Sequence, residues 1–460
     1  MADLLAVIVA FAWFGFNVTR PDTYNGRVCC DSVQYMSLAR GSSFSNFCHD
    51  YDYRTLGYPL FLRLHLLAHE ALHLPPQPDW VFLSLVTSFA LGIASTYMLY
   101  GALRYRGIRV PRLALWLLLA HPGLASYAAV PVTDSFALSL LTFCLSCSLR
   151  LEWALHLRNL FLSAAMGLLL AWITLTRPTH YLPALALLVT FLIVAATLAA
   201  QRRAPALILL PLATVVCFAV VTAPRHLACA RYNGGVPCMI TAADAENNLR
   251  VSLDYASGYK TYAILYRDSA GAFHAEQRTV PDASVRHFDC LTGDRPVVTG
   301  VFRCYWQRAR FLPLFFGKKI IAMFDNSHLN PYAASITTPA VRWWNRLFGL
   351  MGFAGFACLM TFTVWGIVRR CVPLQVLLPL VYLWAYLAVS LIAHIEARYG
   401  FPLVPASFIA LVLLCARALR SARWKRWLVA AFLVCLCATF LGQTIAWDRV
   451  DPPFGAPPAP

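Results

Sequence analysis

The stretch Cys30-Asp31-Ser32-Val33-Gln34-Tyr35-Met36-Ser37-Leu38-Ala39-Arg40, followed by Tyr53-Arg54-Thr55-Leu56-Gly57-Tyr58-Pro59-Leu60, decides how the rest of the chain is read. Asp31, Tyr35 and Ala39 are spaced i, i+4, i+8 and share one face of a helix. Asp31 and Ser32 are strong helix starters. The spacing predicts a short amphipathic helix at a membrane surface, with a carboxylate at its head. The apolar run Ala2 to Asn17 precedes it. That run has no basic leader and no small-x-small cleavage site, so it reads as a retained helix rather than a signal peptide.

Moving outward, 59% of the 460 residues are hydrophobic and only 13% are charged. The mean hydropathy is +0.60. Repeated apolar runs of membrane-spanning length account for both values. The net charge of +17 does not point to nucleic acid, because the basic residues sit in short loops between apolar runs. Spans are expected at 2–17, 79–101, 113–130, 134–149, 159–176, 181–200, 206–224, 346–368, 373–393, 401–416 and 427–446, about eleven in all. Residues 57–73 carry Arg63, His65, His69, Glu70 and His73 among apolar residues, which suits a helix lying in the interface. The expected fold class is an all-α polytopic membrane protein with extracytoplasmic interfacial helices and a large extracytoplasmic loop. It divides into an N-terminal transmembrane module (1–224, with a first outer loop at 18–78), a loop domain (225–345), C-terminal helices (346–446) and a disordered, Pro-rich tail (447–460).

With the N-terminus in the cytoplasm, the cytoplasmic loops collect Arg104, Arg106, Arg109 and Arg112, then Arg150 and Arg158, Arg202 and Arg203, Arg369 and Arg370, and Arg417 to Arg426. Glu152 is the one acid among them, while Asp31, Asp50, Asp52, Asp134 and Glu396 fall outside. Such a bias in short loops sets orientation. The outer side also holds Cys29, Cys30, Cys48, Cys229, Cys238, Cys290 and Cys304 of the 15 cysteines. Disulfides persist in oxidising compartments, so Cys229–Cys238, Cys290–Cys304 and a pairing of Cys48 with Cys29 or Cys30 are expected. Within 225–345, the first half reads as turns and short strands. The second half, 301–324, reads as a basic amphipathic helix near lipid phosphates.

Five polar constellations share this outer face. Asp31 is either a helix cap or a working carboxylate. Arg54 either pairs with Asp52 or holds a phosphate by a charge-assisted contact; it stands before the Gly57-Tyr58-Pro59 turn. Asp134 caps the following helix or acts as an acid at the mouth of a span, where such a group is costly unless paired. Arg177 and His180, in Thr176-Arg177-Pro178-Thr179-His180, read as a snorkelling arginine and an interfacial histidine, unless they serve the chemistry of this face. In His394-Ile395-Glu396-Ala397-Arg398-Tyr399-Gly400-Phe401-Pro402, Glu396 and Arg398 read as a loop salt bridge, or Arg398, beside Tyr399, serves as a second phosphate contact. No phosphate-loop, zinc-protease, serine-hydrolase or dinucleotide signature occurs in a fitting context.

Taken together, these motifs resemble the GT-C superfamily of membrane glycosyltransferases, in particular the polyprenyl-phosphate-sugar-dependent group that includes the protein O-mannosyltransferases and the lipid A aminoarabinose transferase. The resemblance rests on the acid of the first outer loop with Tyr35 and Ala39 at helical spacing, on Arg54-Thr55-Leu56-Gly57-Tyr58-Pro59, on Asp134, on Arg177-Pro178 and on Glu396-Ala397-Arg398-Tyr399-Gly400-Phe401-Pro402. In this chain Ser32 follows the acid where a second acid is usual, and Thr55-Leu56 stand in place of Pro-Pro. The resemblance implies inverting transfer of a sugar from a polyprenyl-phosphate donor to a hydroxyl acceptor on a lipid, glycan or protein. Asp31 would be the general base, with Asp134 orienting it or the acceptor. Arg54, Arg398, Arg177 and His180 would stabilise the departing phosphate. The lipid tail would lie between the spans and the 57–73 helix, with 301–324 covering the site. No cofactor is expected; a metal-assisted version would use Asp31 and Asp134 as hard oxygen ligands. Two other readings are an O-antigen-ligase-like transferase using a diphosphate-linked glycan and a transporter or flippase of lipid-linked sugars. The latter predicts an internal repeat and ionisable groups at mid-membrane, neither of which is evident.

Overall fold

The computed structural model describes residues 2–19, 31–41, 55–74, 79–241, 243–246, 258–267, 273–281, 297–325, 339–392 and 397–450. The apolar N-terminal run forms helix α1 (Ala2–Thr19), and the opening motif forms α2 (Asp31–Gly41). Ser32, Tyr35, Met36 and Ala39 are buried, so the face anticipated from the spacing is the packed one. Helix α3 (Gly57–Ala71) lies against α2. Arg63 of α3 donates to the carbonyls of Ala39 (3.3 Å) and Arg40 (3.4 Å), satisfying the end of α2.

Helix α4 (Trp80–Tyr105) starts at Asp79, whose Oδ1 accepts the Phe82 amide at 2.7 Å. The run expected as a span at 113–130 is instead two short helices, α5 (Arg112–Leu119) and α6 (Pro122–Ala128), interrupted at His121-Pro122. Proline has no amide proton and clashes with the preceding turn, so a continuous helix fails there. Helix α7 (Thr133–Arg150) follows and is buried almost throughout. Its hydroxyls bond to carbonyls one turn back, as Ser139 does to Ser135 and Thr142 to Leu138. With their protons used in this way, small polar residues let α4 and α7 approach closely.

Helices α8 (Leu157–Thr176), α9 (Tyr181–Arg202) and α10 (Leu209–Tyr232) come next. A single 3-10 turn (Pro178–His180) joins α8 to α9. Helix α10 runs past the expected boundary at 224 and through Pro224. Its extension is held by the Cys229–Cys238 disulfide and by Arg225, which donates to the Met239 carbonyl at 2.8 Å. The 225–345 stretch contains an antiparallel hairpin of β1 (Gly258–Arg267) and β2 (Phe273–Pro281), where short strands were expected. The single helix expected over 301–324 is two, α11 (Val297–Gln307) and α12 (Leu312–Phe324), separated by a 3-10 turn (Ala309–Phe311) ahead of Pro313. Cys304 is also disulfide-bonded, to a partner outside the described residues. Cys29, Cys30, Cys48 and Cys290 lie outside them as well.

The chain ends with α13 (Pro339–Val368), α14 (Leu374–Ile392), a 3-10 segment (Ala397–Leu403), α15 (Val404–Leu419) and α16 (Arg423–Val450). Helix α16 thus continues into the start of the expected tail; residues 451–460 lie outside the described residues. Among the described residues, eight helical segments are long and apolar enough to cross a membrane, fewer than the eleven runs expected. Helix α7 has the length but is rich in Ser and Thr, and 113–130 is broken. The result is a polytopic, predominantly helical membrane protein.

The two ends of α7 differ in chemistry. At its C-terminus, Arg106 donates to the carbonyls of Leu149 and Leu151. Tyr105 bonds Glu152, and Arg202 reaches the Trp153 carbonyl at 3.0 Å. At its N-terminus sits Asp134. Sixteen residues of helix separate Asp134 from Arg150, roughly 24 Å.

Candidate functional site

Asp134 lies in the first turn of α7, but the N-cap there is Val132 and no side chain caps the helix. The capping alternative for Asp134 is therefore not what the fold uses. Its carboxylate is 1% exposed and meets two guanidiniums. Arg177, from the α8–α9 turn, donates to Oδ1. Arg398, at the start of the segment before α15, approaches Oδ2 at 3.5 Å. Burial, the largest single influence, weakens the charge of Arg177, but Asp134 together with the Tyr386 and Tyr399 hydroxyls outweighs it and holds the guanidinium above its ordinary value. Tyr399 completes the group: its ring lies under both arginines, 5.5 Å from Arg177 and 6.0 Å from Arg398.

Three chain segments far apart in sequence thus converge, and the local sequence explains each. Pro178 ends α8 and forces the tight turn that turns Arg177 inward. Gly400 places its backbone so close to the Met323 carbonyl that a Cβ would overlap the oxygen; this locks the Arg398 turn against α12. The amine of buried Lys319, also on α12, donates to the Leu391 carbonyl at 2.9 Å and ties down the end of α14 just before the same turn. Burial lowers the Lys319 pKa to about 7. Helix α12, part of the 301–324 stretch, therefore braces this turn.

The first-loop motif joins from the other side. A Cβ on Gly57 would come within 2.6 Å of the Leu175 carbonyl carbon, so only glycine fits. Trp172 donates to the Gly57 carbonyl at 3.0 Å and Thr55 to the Thr176 carbonyl at 3.4 Å. These contacts dock the start of α3 on the last turn of α8, beside Arg177. Tyr58 is fully buried, edge-on to Tyr35 of α2 at 5.5 Å. Burial first, then the nearby Tyr35 and Asp134, push its hydroxyl well above the ordinary range, so it stays neutral. Asp31 opens α2 one turn before Tyr35. The Asp31 side chain, Arg54 and Glu396 lie outside the described residues.

His180 does not face the carboxylate. Its Nδ1 bonds the Tyr382 hydroxyl at 2.7 Å, and its ring stacks on Tyr386 at 4.8 Å. Tyr382, Tyr386 and Ser390 recur at i, i+4, i+8 on α14, a polar stripe in an otherwise apolar span. That spacing was visible in the sequence and marks the wall behind Arg177. Among the described residues no three His, Cys, Asp or Glu side chains gather as metal ligands. The arrangement can hold an anion: one buried carboxylate orients two arginines whose planar forks match phosphate.

The fold and site define a multi-span helical membrane protein with a preorganised carboxylate–arginine cluster at one end of its bundle. No family model and no curated protein matches the chain. It is similar in fold to the crystal structure of ArnT from Cupriavidus metallidurans bound to undecaprenyl phosphate, at 15% identity and a TM-score of 0.46, covering 97% of this chain and 72% of that one. The apo ArnT structure from the same organism gives 16% identity and a TM-score of 0.32, covering 90% and 78%. At these values the functional reading rests on the geometry of the site.

Proposed function

We propose that this protein is an inverting glycosyltransferase that moves a sugar from a polyprenyl-phosphate donor to a hydroxyl acceptor at the extracytoplasmic membrane face. The observation that carries this reading is the convergence of Arg177 and Arg398 on Asp134, next to the helix that Asp31 opens. Asp31 takes the proton of the acceptor hydroxyl as its oxygen attacks the anomeric carbon. The bond from that carbon to the phosphate oxygen breaks, and its electron pair leaves with the phosphate. One displacement inverts the centre. The leaving phosphate gains negative charge, and Arg177 and Arg398, already oriented by Asp134, stabilise it without reorganising. Arg54 would add a third cation. Because guanidiniums supply this charge, the reaction needs no metal, and chelation is expected to leave the rate unchanged. The donor class follows the motif resemblance.

The test is transfer of labelled sugar from polyprenyl-phosphate donors to an envelope acceptor fraction, comparing wild type with Asp31→Asn. Asparagine caps a helix as well as aspartate, so folding should hold while transfer drops by ~100-fold or more. Full activity in Asp31→Asn would remove Asp31 as the base. Transfer only from diphosphate-linked glycans would sink the donor assignment.

A further inference from the structure

The break between α5 and α6 faces a small cavity of about 30 Å³, lined by Ser95, Thr96, His121, Ser139, Thr142 and Phe401 among others. His121 is 4% exposed. Its Nδ1 accepts the Gly123 amide proton at 3.1 Å. A ring nitrogen that accepts carries no proton, so the neutral ring holds its proton on Nε2. Nε2 is buried and has no hydrogen-bond partner in the protein. Edge contacts with Phe348, Phe401 and Phe408, 5.6 to 6.0 Å between centroids, fix the ring.

The hydroxyls around the cavity are complementary to this donor. Ser95 and Thr96 give their protons to the Gly92 carbonyl at 2.9 and 2.8 Å. Ser139 gives its proton to Ser135 at 2.9 Å, and Thr142 to Leu138 at 2.8 Å. Each hydroxyl oxygen therefore keeps lone pairs to offer. We infer that the cavity is a binding site for internal water, in which one molecule accepts from His121 Nε2–H and donates to hydroxyl oxygens of α4 and α7. The volume exceeds the ~10–15 Å³ that a single water needs, and the polar lining supplies the partners that keep a cavity wet. A cation is not expected there, because no carboxylate lines the cavity. The water sits behind Phe401, three residues after Arg398, and so helps seat the turn that presents that arginine. It also explains how a helix can break inside the bundle, since irregular backbone at membrane depth is tolerated where it lines a hydrated cavity.

The test uses the full-length protein in lipid bilayers and solid-state NMR. His121-Pro122 is the only His-Pro pair in the sequence, so ¹³C-carbonyl histidine with ¹⁵N-proline assigns His121 without a mutation. The expected result is a neutral ring protonated at Nε2, with magnetisation passing to Nε2–H from water and unaffected by exchanging sodium for potassium or caesium. Protonation at Nδ1, no transfer from water at any mixing time, or a cation-dependent shift would each overturn the proposal.

Discussion

At the scale of single residues, Asp134 is the group on which most depends. A buried ion pair contributes little net stability, but removing one partner leaves uncompensated charge in low dielectric. Asp134→Asn leaves Arg177 and Arg398 facing each other around a neutral amide. The expected cost is about 3–5 kcal/mol of stability, read as a fall in the unfolding midpoint in detergent, together with loss of transfer. Loss of transfer with an unchanged midpoint would show that the pairing is not structural. Arg398→Lys is the sharper test of phosphate recognition. Lysine keeps the charge but loses the planar fork and the seat on Tyr399, so transfer should fall roughly 10-fold or more with the midpoint little changed. Activity equal to wild type would mean that only a point charge is needed there.

At the scale of elements, the site is a matter of how turns are held. The segment Ala397–Leu403 is pinned at Gly400 by the Met323 carbonyl and at Leu391 by Lys319. Gly400→Ala forces the turn off α12 and displaces Arg398. A misplacement of about 1 Å costs on the order of 100-fold in rate, so transfer should drop by that order while membrane insertion is kept; unchanged kinetics would show that α12 is not the brace. Helix existence was legible from the apolar runs, and the buried face of α2 from its i, i+4 spacing. The division of 113–130 and 301–324 was signalled by Pro122 and Pro313 but outweighed by hydrophobicity. A proline can kink a helix or end it, and the surrounding packing decides which.

At the scale of the whole molecule, Lys319 links folding to pH. In the unfolded chain its amine keeps a proton to about 10.5, while in the buried site it releases it near 7. Between those values the unfolded state binds more protons, so stability rises with pH through this window and is flat below it for this group. Wild type should gain stability between pH 7 and 10 relative to Lys319→Met; parallel curves would contradict the buried amine. Orientation is testable through Cys371, an exposed free thiol beside Arg369 and Arg370. A membrane-impermeant maleimide should label it in inverted vesicles and not in intact cells, judged against Cys371→Ser. Labelling in intact cells would reverse the topology.

Hydropathy by itself determined a multi-span helical membrane protein, because span length is a one-dimensional property that the bilayer reads directly. The order of the motifs likewise marked Asp134, Arg177 and Arg398 as candidates. Only the tertiary structure decided that these three meet, that His180 turns to Tyr382 and Tyr386, and that α12 packs against the turn that carries Arg398. Each depends on which helix ends pack together and how closely two backbones approach. A residue's chemical type does not carry that information, and the shape of its neighbours does.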